Sequence, residues 1–160
     1  MAVKELVDHM KELAGLHEQL HELSLEKTEL LKNNEAKQLQ ELVKKEALCI
    51  REVETAETAR AAEAEAVAGE YAADEVTIRS LLRVLPEGVQ SELRQLQARL
   101  GETIQKLQQQ QELNRVLLAD SLYFLQKNME WMRPAADQSR YTPPGQKNQT
   151  QAYSFFDSKA

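Results

Sequence analysis

The stretch Leu93-Arg94-Gln95-Leu96-Gln97-Ala98-Arg99-Leu100-Gly101-Glu102-Thr103-Ile104-Gln105-Lys106-Leu107 decides the fold. Leu93, Leu96, Leu100, Thr103 and Leu107 recur at steps of three and four, the repeat that lays one seam along an α-helix. The register continues through Gln110, Asn114, Leu117, Ser121, Phe124, Asn128 and Trp131, with polar residues interrupting it more often toward the C-terminus. A helix is predicted from Glu87 to Met132, and at about 1.5 Å per residue it reaches about 69 Å, a length typical of coiled-coil packing. A second register, Leu118, Leu122, Leu125, Met129 and Met132, opens on the same turns. Two adjacent stripes make a face wider than one partner helix covers. Either a three- or four-helix core uses both, or one of them receives a helix from another protein.

Toward the N-terminus the same periodicity returns. Leu6, Met10, Leu13, Leu16, Leu20, Leu23 and Leu30 form one stripe over residues 3–32, and Leu39, Leu42, Val43, Cys49, Ile50, Val53 and Ala56 form another over 35–72. Asn33-Asn34 between them reads as a tight turn with Asn34 as N-cap of the second helix, so the two helices form an antiparallel hairpin. From Thr55 to Ala73 the stripe thins to alanine, which predicts a helical but weakly anchored stretch with Gly69 as its end or weak point. Thr77 to Leu85 reads as a short helix, closed by Pro86, whose ring disfavours helical geometry at Leu85 and suits the first turn of the helix that follows. The pattern stops at Arg133. Pro134, Pro143, Pro144 and Gly145 among Gln, Asn, Ser and Thr predict a flexible tail over 133–160, with one small apolar cluster at Tyr153-Ser154-Phe155-Phe156-Asp157.

Composition agrees with an all-α bundle of long antiparallel, coiled-coil-like helices. Of 160 residues, 42% are hydrophobic and 29% charged, with 5 Gly and 4 Pro. Aromatic residues, at 5%, are too few to line a large substrate pocket. A single cysteine, Cys49, excludes an internal disulfide and fits a reducing compartment. The charged start Met1-Ala2-Val3-Lys4-Glu5 and the lack of any apolar run of about 18 residues predict neither a secretion signal nor a membrane span. The net charge of -6 comes from the first half, and no basic stripe answers to a nucleic-acid backbone.

One segment imitates a catalytic site. His17-Glu18-Gln19-Leu20-His21 matches H-E-x-x-H, in which two histidines one turn apart hold zinc and the glutamate acts as general base. Ser24 and Lys27 stand where the longer zinc-protease form needs glycine and a third histidine, and Leu20 and Leu23 belong to the packing stripe. No glycine-rich phosphate loop, C-x-x-C pair or nucleophile with a spaced base occurs. The chain is therefore read as a non-enzyme without metal or cofactor.

Asn114-Arg115-Val116-Leu117-Leu118-Ala119-Asp120-Ser121-Leu122-Tyr123-Phe124 resembles the N-x-x-L-L-x-x-S-L-x-F signature of the FlgN family of flagellar export chaperones. Leu30-Leu31-Lys32-Asn33, the second helix with Leu39, Leu42, Glu46 and Ala47, the element from Thr77-Ile78 to Leu85-Pro86, and Tyr141 with the terminal Phe155-Phe156-Asp157-Ser158-Lys159-Ala160 resemble that family's layout. Thr142 stands where the family often has glycine. The resemblance implies a cytoplasmic chaperone that binds the C-terminal helical segments of hook-filament junction proteins and keeps them ready for type III export. Together with the second stripe, it points to Asn114, Leu117, Leu118, Ser121, Leu122, Phe124, Leu125, Met129 and Met132 as client-facing or face-organising residues. The flagellar export apparatus is a further partner on this reading. The rival is a structural coiled coil that self-associates through the same stripe as a homo-oligomer.

Overall fold

The computed structural model describes residues 2–132, which form four α-helices: α1 (Ala2–Lys32), α2 (Ala36–Glu70), α3 (Ile78–Val84) and α4 (Glu87–Met132). No strand occurs among the described residues, and none of these helices is long and apolar enough to cross a membrane. The tail expected over 133–160 and the cluster Tyr153 to Asp157 lie outside the described residues. The chain divides into two compact units, Met1–Asn114 and Arg115–Ala160, so the division falls inside α4.

The first unit is an up-down-up arrangement. α2 runs antiparallel to α1: Lys27 Nζ sits 3.3 Å from Glu46 Oε1, and the Cys49 thiol reaches the Leu16 carbonyl at 3.5 Å, so numbers rise on one helix as they fall on the other. α4 runs parallel to α1. Lys11 pairs with Glu92 at 2.8 Å, Glu18 with Arg99 at 2.9 Å, and Thr28 with Gln110, a rising series on both helices. α2 returns the chain to the start of α1, where Ala64, Val67 and Ala68 meet Leu6, Val7 and Met10, and α3 connects it there to the start of α4.

Two apolar clusters hold this unit together. In the larger one, Leu6, Val7 and Met10 of α1 meet Ala64, Val67 and Ala68 of α2, Leu81 of α3, Leu85 and then Leu93 and Leu96 of α4. Leu6, Leu81 and Leu93 are completely buried there, each worth about 1.5–3 kcal/mol relative to exposure. The alanine-rich end of α2, expected to be weakly anchored, is therefore one wall of the main core. Its small side chains let the backbones approach closely where α3 also has to fit. The smaller cluster joins Leu20, Cys49 and Leu107, with Leu23 against it.

The α2 stripe is narrower than its sequence suggests. Leu42, Cys49 and Ala56, spaced by sevens, are buried, whereas Val43 and Ile50 are exposed. A helix gripped along one seam buries one residue per heptad completely and leaves the neighbours 100° away in water. On α1, likewise, Ser24, Thr28 and Leu31 are interior, and Leu16, Leu23 and Leu30 are only half-buried.

The helix ends show where side-chain chemistry meets backbone geometry. Asn34 is not the N-cap of α2. It adopts the left-handed conformation at φ 54°, with Glu35 N bonded to Leu30 O at 3.1 Å and Asn34 N to Leu31 O at 3.4 Å, the pair that closes a Schellman motif at the end of α1. Asn tolerates that conformation better than other non-glycine residues, so the sequence places the turn correctly and assigns Asn34 to the wrong helix. Glu35 takes the cap position without a side-chain cap bond. α2 ends in the same way, with Ala72 at φ 53° and Ala73 N bonded to Ala68 O at 2.9 Å. Gly69, three residues earlier, lies inside the helix, where an added Cβ would meet nothing within 4 Å. Exchanging the two preferences is expected to stabilise the protein. Ala72→Gly removes a left-handed alanine, worth about 1 kcal/mol, and Gly69→Ala adds up to about 1 kcal/mol of helix propensity. Urea midpoints of the two variants check this.

Thr77 caps α3 by accepting a hydrogen bond from Ser80 N at 3.1 Å. Leu85 is extended, as the residue before Pro86 must be, and Gln90 Nε2 reaches back to its carbonyl at 2.6 Å, which fixes the sharp entry into α4.

Candidate functional site

Asn114 is 4% exposed, and its side chain faces α1. Its Nδ2 donates to the Ser24 carbonyl at 2.8 Å and meets Ser24 Oγ at 3.1 Å. Its Oδ1 accepts from the Thr28 hydroxyl, which also lies 3.0 Å from the Ser24 carbonyl and accepts from Gln110 Nε2. Ser24 and Thr28 stand one turn apart on α1, and Gln110 and Asn114 one turn apart on α4, so four side chains from two helices make one satisfied polar layer. A buried layer of this kind is tolerated only while every member is paired, and it fixes the register of the helices that carry it. The sequence marks Asn114 but misses Ser24, Thr28 and Gln110 as its partners. The available signal is a serine and a threonine at i, i+4 on the α1 seam, between Leu20 and Leu31.

The rest of the candidate set lies in the second unit and has a different environment. Leu117, Leu118, Ser121 and Leu122 are half-buried. Phe124, Leu125 at 57%, Met129 at 63% and Met132 at 83% are exposed, as are Val116, Tyr123 and Trp131. Large apolar side chains at this density on one helix exceed the scattered exposure normal for a soluble surface. The two methionines add a pliable, polarizable surface that adapts to differently shaped side chains. Charge on this stretch is sparse and mixed. Lys127 lies 5.6 Å from the Tyr123 ring centroid and 3.4 Å from Glu130 Oε2, both exposed arrangements of small energetic weight.

The H-E-x-x-H residues serve packing and pairing. His17 Nδ1 bonds to the Leu13 carbonyl at 2.8 Å, and Leu20 is buried in the seam. Glu18 is engaged by the Arg99 guanidinium, whose hydrogen bonds and charge hold its carboxyl below the usual carboxylate range and raise Arg99 in turn. A carboxylate held this way is a poor general base. Among the described residues, no three His, Cys, Asp or Glu side chains converge as metal ligands. The lowered pKa sets the sign of a pH effect: the pair adds stability above the unfolded-state pKa, and the contribution disappears as pH falls through the lower folded value. Glu18→Gln is therefore expected to lower the melting temperature slightly at pH 7, with the difference from the parent smaller at pH 3. Thermal melts at the two pH values check it.

A shallow groove between α1 and α2, lined by Gln19, Leu23, Lys45, Leu48, Cys49 and Glu52, holds about 130 Å³, well under the volume of a typical small-molecule site. Burial, with Glu52 and Glu46 nearby, pushes the Cys49 thiol up, so the thiolate that nucleophilic chemistry requires is disfavoured.

Residues 1–149 match the family described as FlgN protein. The chain is 30% identical, over the whole length of both proteins, to a protein of Bacillus subtilis (strain 168) that bears the name Uncharacterized protein YvyG. No solved structure matches the chain. The match spans α1 to α4, including the Asn114 layer and the apolar stretch that follows it, and so the chain belongs to the FlgN family.

Proposed function

We propose that this protein is a cytoplasmic, non-enzymatic chaperone of flagellar type III export. Its partner face consists of Leu117, Leu118, Ser121, Leu122, Phe124, Leu125, Met129 and Met132, with Asn114 organising its start. The occupant is the C-terminal helical segment of a hook-filament junction protein. The observation that supports this reading most strongly is the concentration of exposed apolar side chains between Val116 and Met132. An amphipathic segment that is unfolded alone can form a helix against such a face, trading its ordering entropy for apolar burial. That entropy cost keeps the complex releasable, which export requires. The export apparatus is the second partner in this reading, as the acceptor of the loaded complex.

The experiment is a titration of the full chain with the C-terminal segment of a hook-filament junction protein, with the mass in solution measured before and after. Formation of a one-to-one complex is the expected result. A free protein that is already a stable dimer through Leu118 to Met132, and that ignores the segment, would support the self-associating coiled coil instead.

A further inference from the structure

The seam that α1 grips on α4 does not end in sequence at Asn114: Leu117, Ser121 and Phe124 continue it at steps of three and four. A slide of α4 by one heptad along α1, about 10 Å at 1.5 Å per residue, keeps leucine at the places of Leu93 and Leu100 and brings Thr103 to that of Leu96, so the apolar pattern opposes it only in part. In the slipped register Leu100 would take the place of Leu93, Leu117 that of Gln110 and Ser121 that of Asn114, so that Leu117 would be spent inside the bundle. The ion pairs Lys11 to Glu92 and Glu18 to Arg99 are solvent-exposed and resist such a slip only weakly. Asn114 resists it strongly. The slip would carry its amide to the position of Leu107, among Leu20 and Cys49, where an unpaired buried amide is heavily penalised, and would leave Ser24 and Thr28 without it.

We propose that Asn114 is a positioning residue: through Ser24 and Thr28 it locks the α1–α4 register and keeps Leu117 and the residues after it from being consumed by α1. The claim about register stands on the polar layer itself, and the claim that the register keeps a binding face available rests on the partner-face reading above.

The test places nitroxide labels on Lys4→Cys and Gln111→Cys in a full-length Cys49→Ala background, two exposed sites in the first unit that lie far apart along the bundle axis. Double electron–electron resonance then measures their separation. One distance is expected in this parent. In Ser24→Ala/Thr28→Val/Asn114→Leu, which replaces the layer by apolar groups, a second population about 10 Å shorter is expected. Thermal stability should be no lower than the parent's, because a buried polar layer secures register at the expense of stability. Asn114→Val alone, read in the same way, serves if the triple variant does not fold. A folded variant with one unchanged distance overturns the lock. A shifted distance with undiminished capture of the junction-protein segment overturns its link to binding. Failure of the parent itself to capture the segment would overturn the partner-face reading, and the distances would still decide the lock.

Discussion

Leu93→Ala is expected to lower the unfolding free energy by about 2–5 kcal/mol, a large part of the 5–15 kcal/mol typical of a small domain. The side chain is completely buried where α1, α2, α3 and α4 converge, and the rigid walls around it cannot collapse into the space that alanine would leave. Leu125→Ala, by contrast, removes a side chain that is more than half exposed and should cost well under about 1 kcal/mol. Urea unfolding of the two variants side by side measures both. Equal losses would place Leu125 in a core and remove it from the partner face.

The second large effect concerns binding. Leu125→Ala combined with Met129→Ala is expected to weaken capture of a junction-protein C-terminal segment by at least about 2 kcal/mol, roughly thirtyfold in Kd, if these side chains are central anchors of the interface. Val43→Ala and Ile50→Ala, which trim exposed apolar residues of α2 by a comparable amount, should leave the Kd unchanged. The α2 pair separates loss of a specific face from a general loss of surface hydrophobicity. Calorimetric titration of all four single variants and the Leu125/Met129 pair decides between these outcomes.

Much of this architecture is legible in the sequence because helical periodicity and burial share one cause. The leucines at 93, 96 and 107 fall on the seam and are buried, and Thr77 and Pro86 bracket α3 through well-understood capping and steric rules. The sequence fails where a residue's role depends on a neighbour distant in the chain. The alanines at 64 and 68 look like weak anchors from α2 alone and become core only because α1 and α3 close around them. The same holds for Ser24 and Thr28, whose polarity looks like a gap in the α1 seam until Asn114 fills it. Asn34 is a subtler case. The residue type is equally good for ending one helix and starting another, and only the backbone dihedral distinguishes them.

At the candidate site the two registers on α4 are legible, but their different environments are not. Periodicity assigns Leu107 and Phe124 to one stripe, yet the first is buried and the second exposed. Periodicity reports only which residues share a face of the helix, whereas burial depends on what lies against that face at each level.

The sole tryptophan of the chain, Trp131, is 85% exposed and stands one heptad after Phe124, between Met129 and Met132 of the proposed partner face, so its fluorescence reports on the central claim without any label. The decisive measurement is the emission of Trp131 during titration with the C-terminal segment of a hook-filament junction protein that itself lacks tryptophan. The expected result is a shift to shorter wavelength and reduced quenching by acrylamide, saturating at one segment per chain. A complex that forms at the same stoichiometry, as read by its mass in solution, while Trp131 stays as red and as quenchable as in the free protein, would contradict a client helix covering the apolar face from Leu117 to Met132.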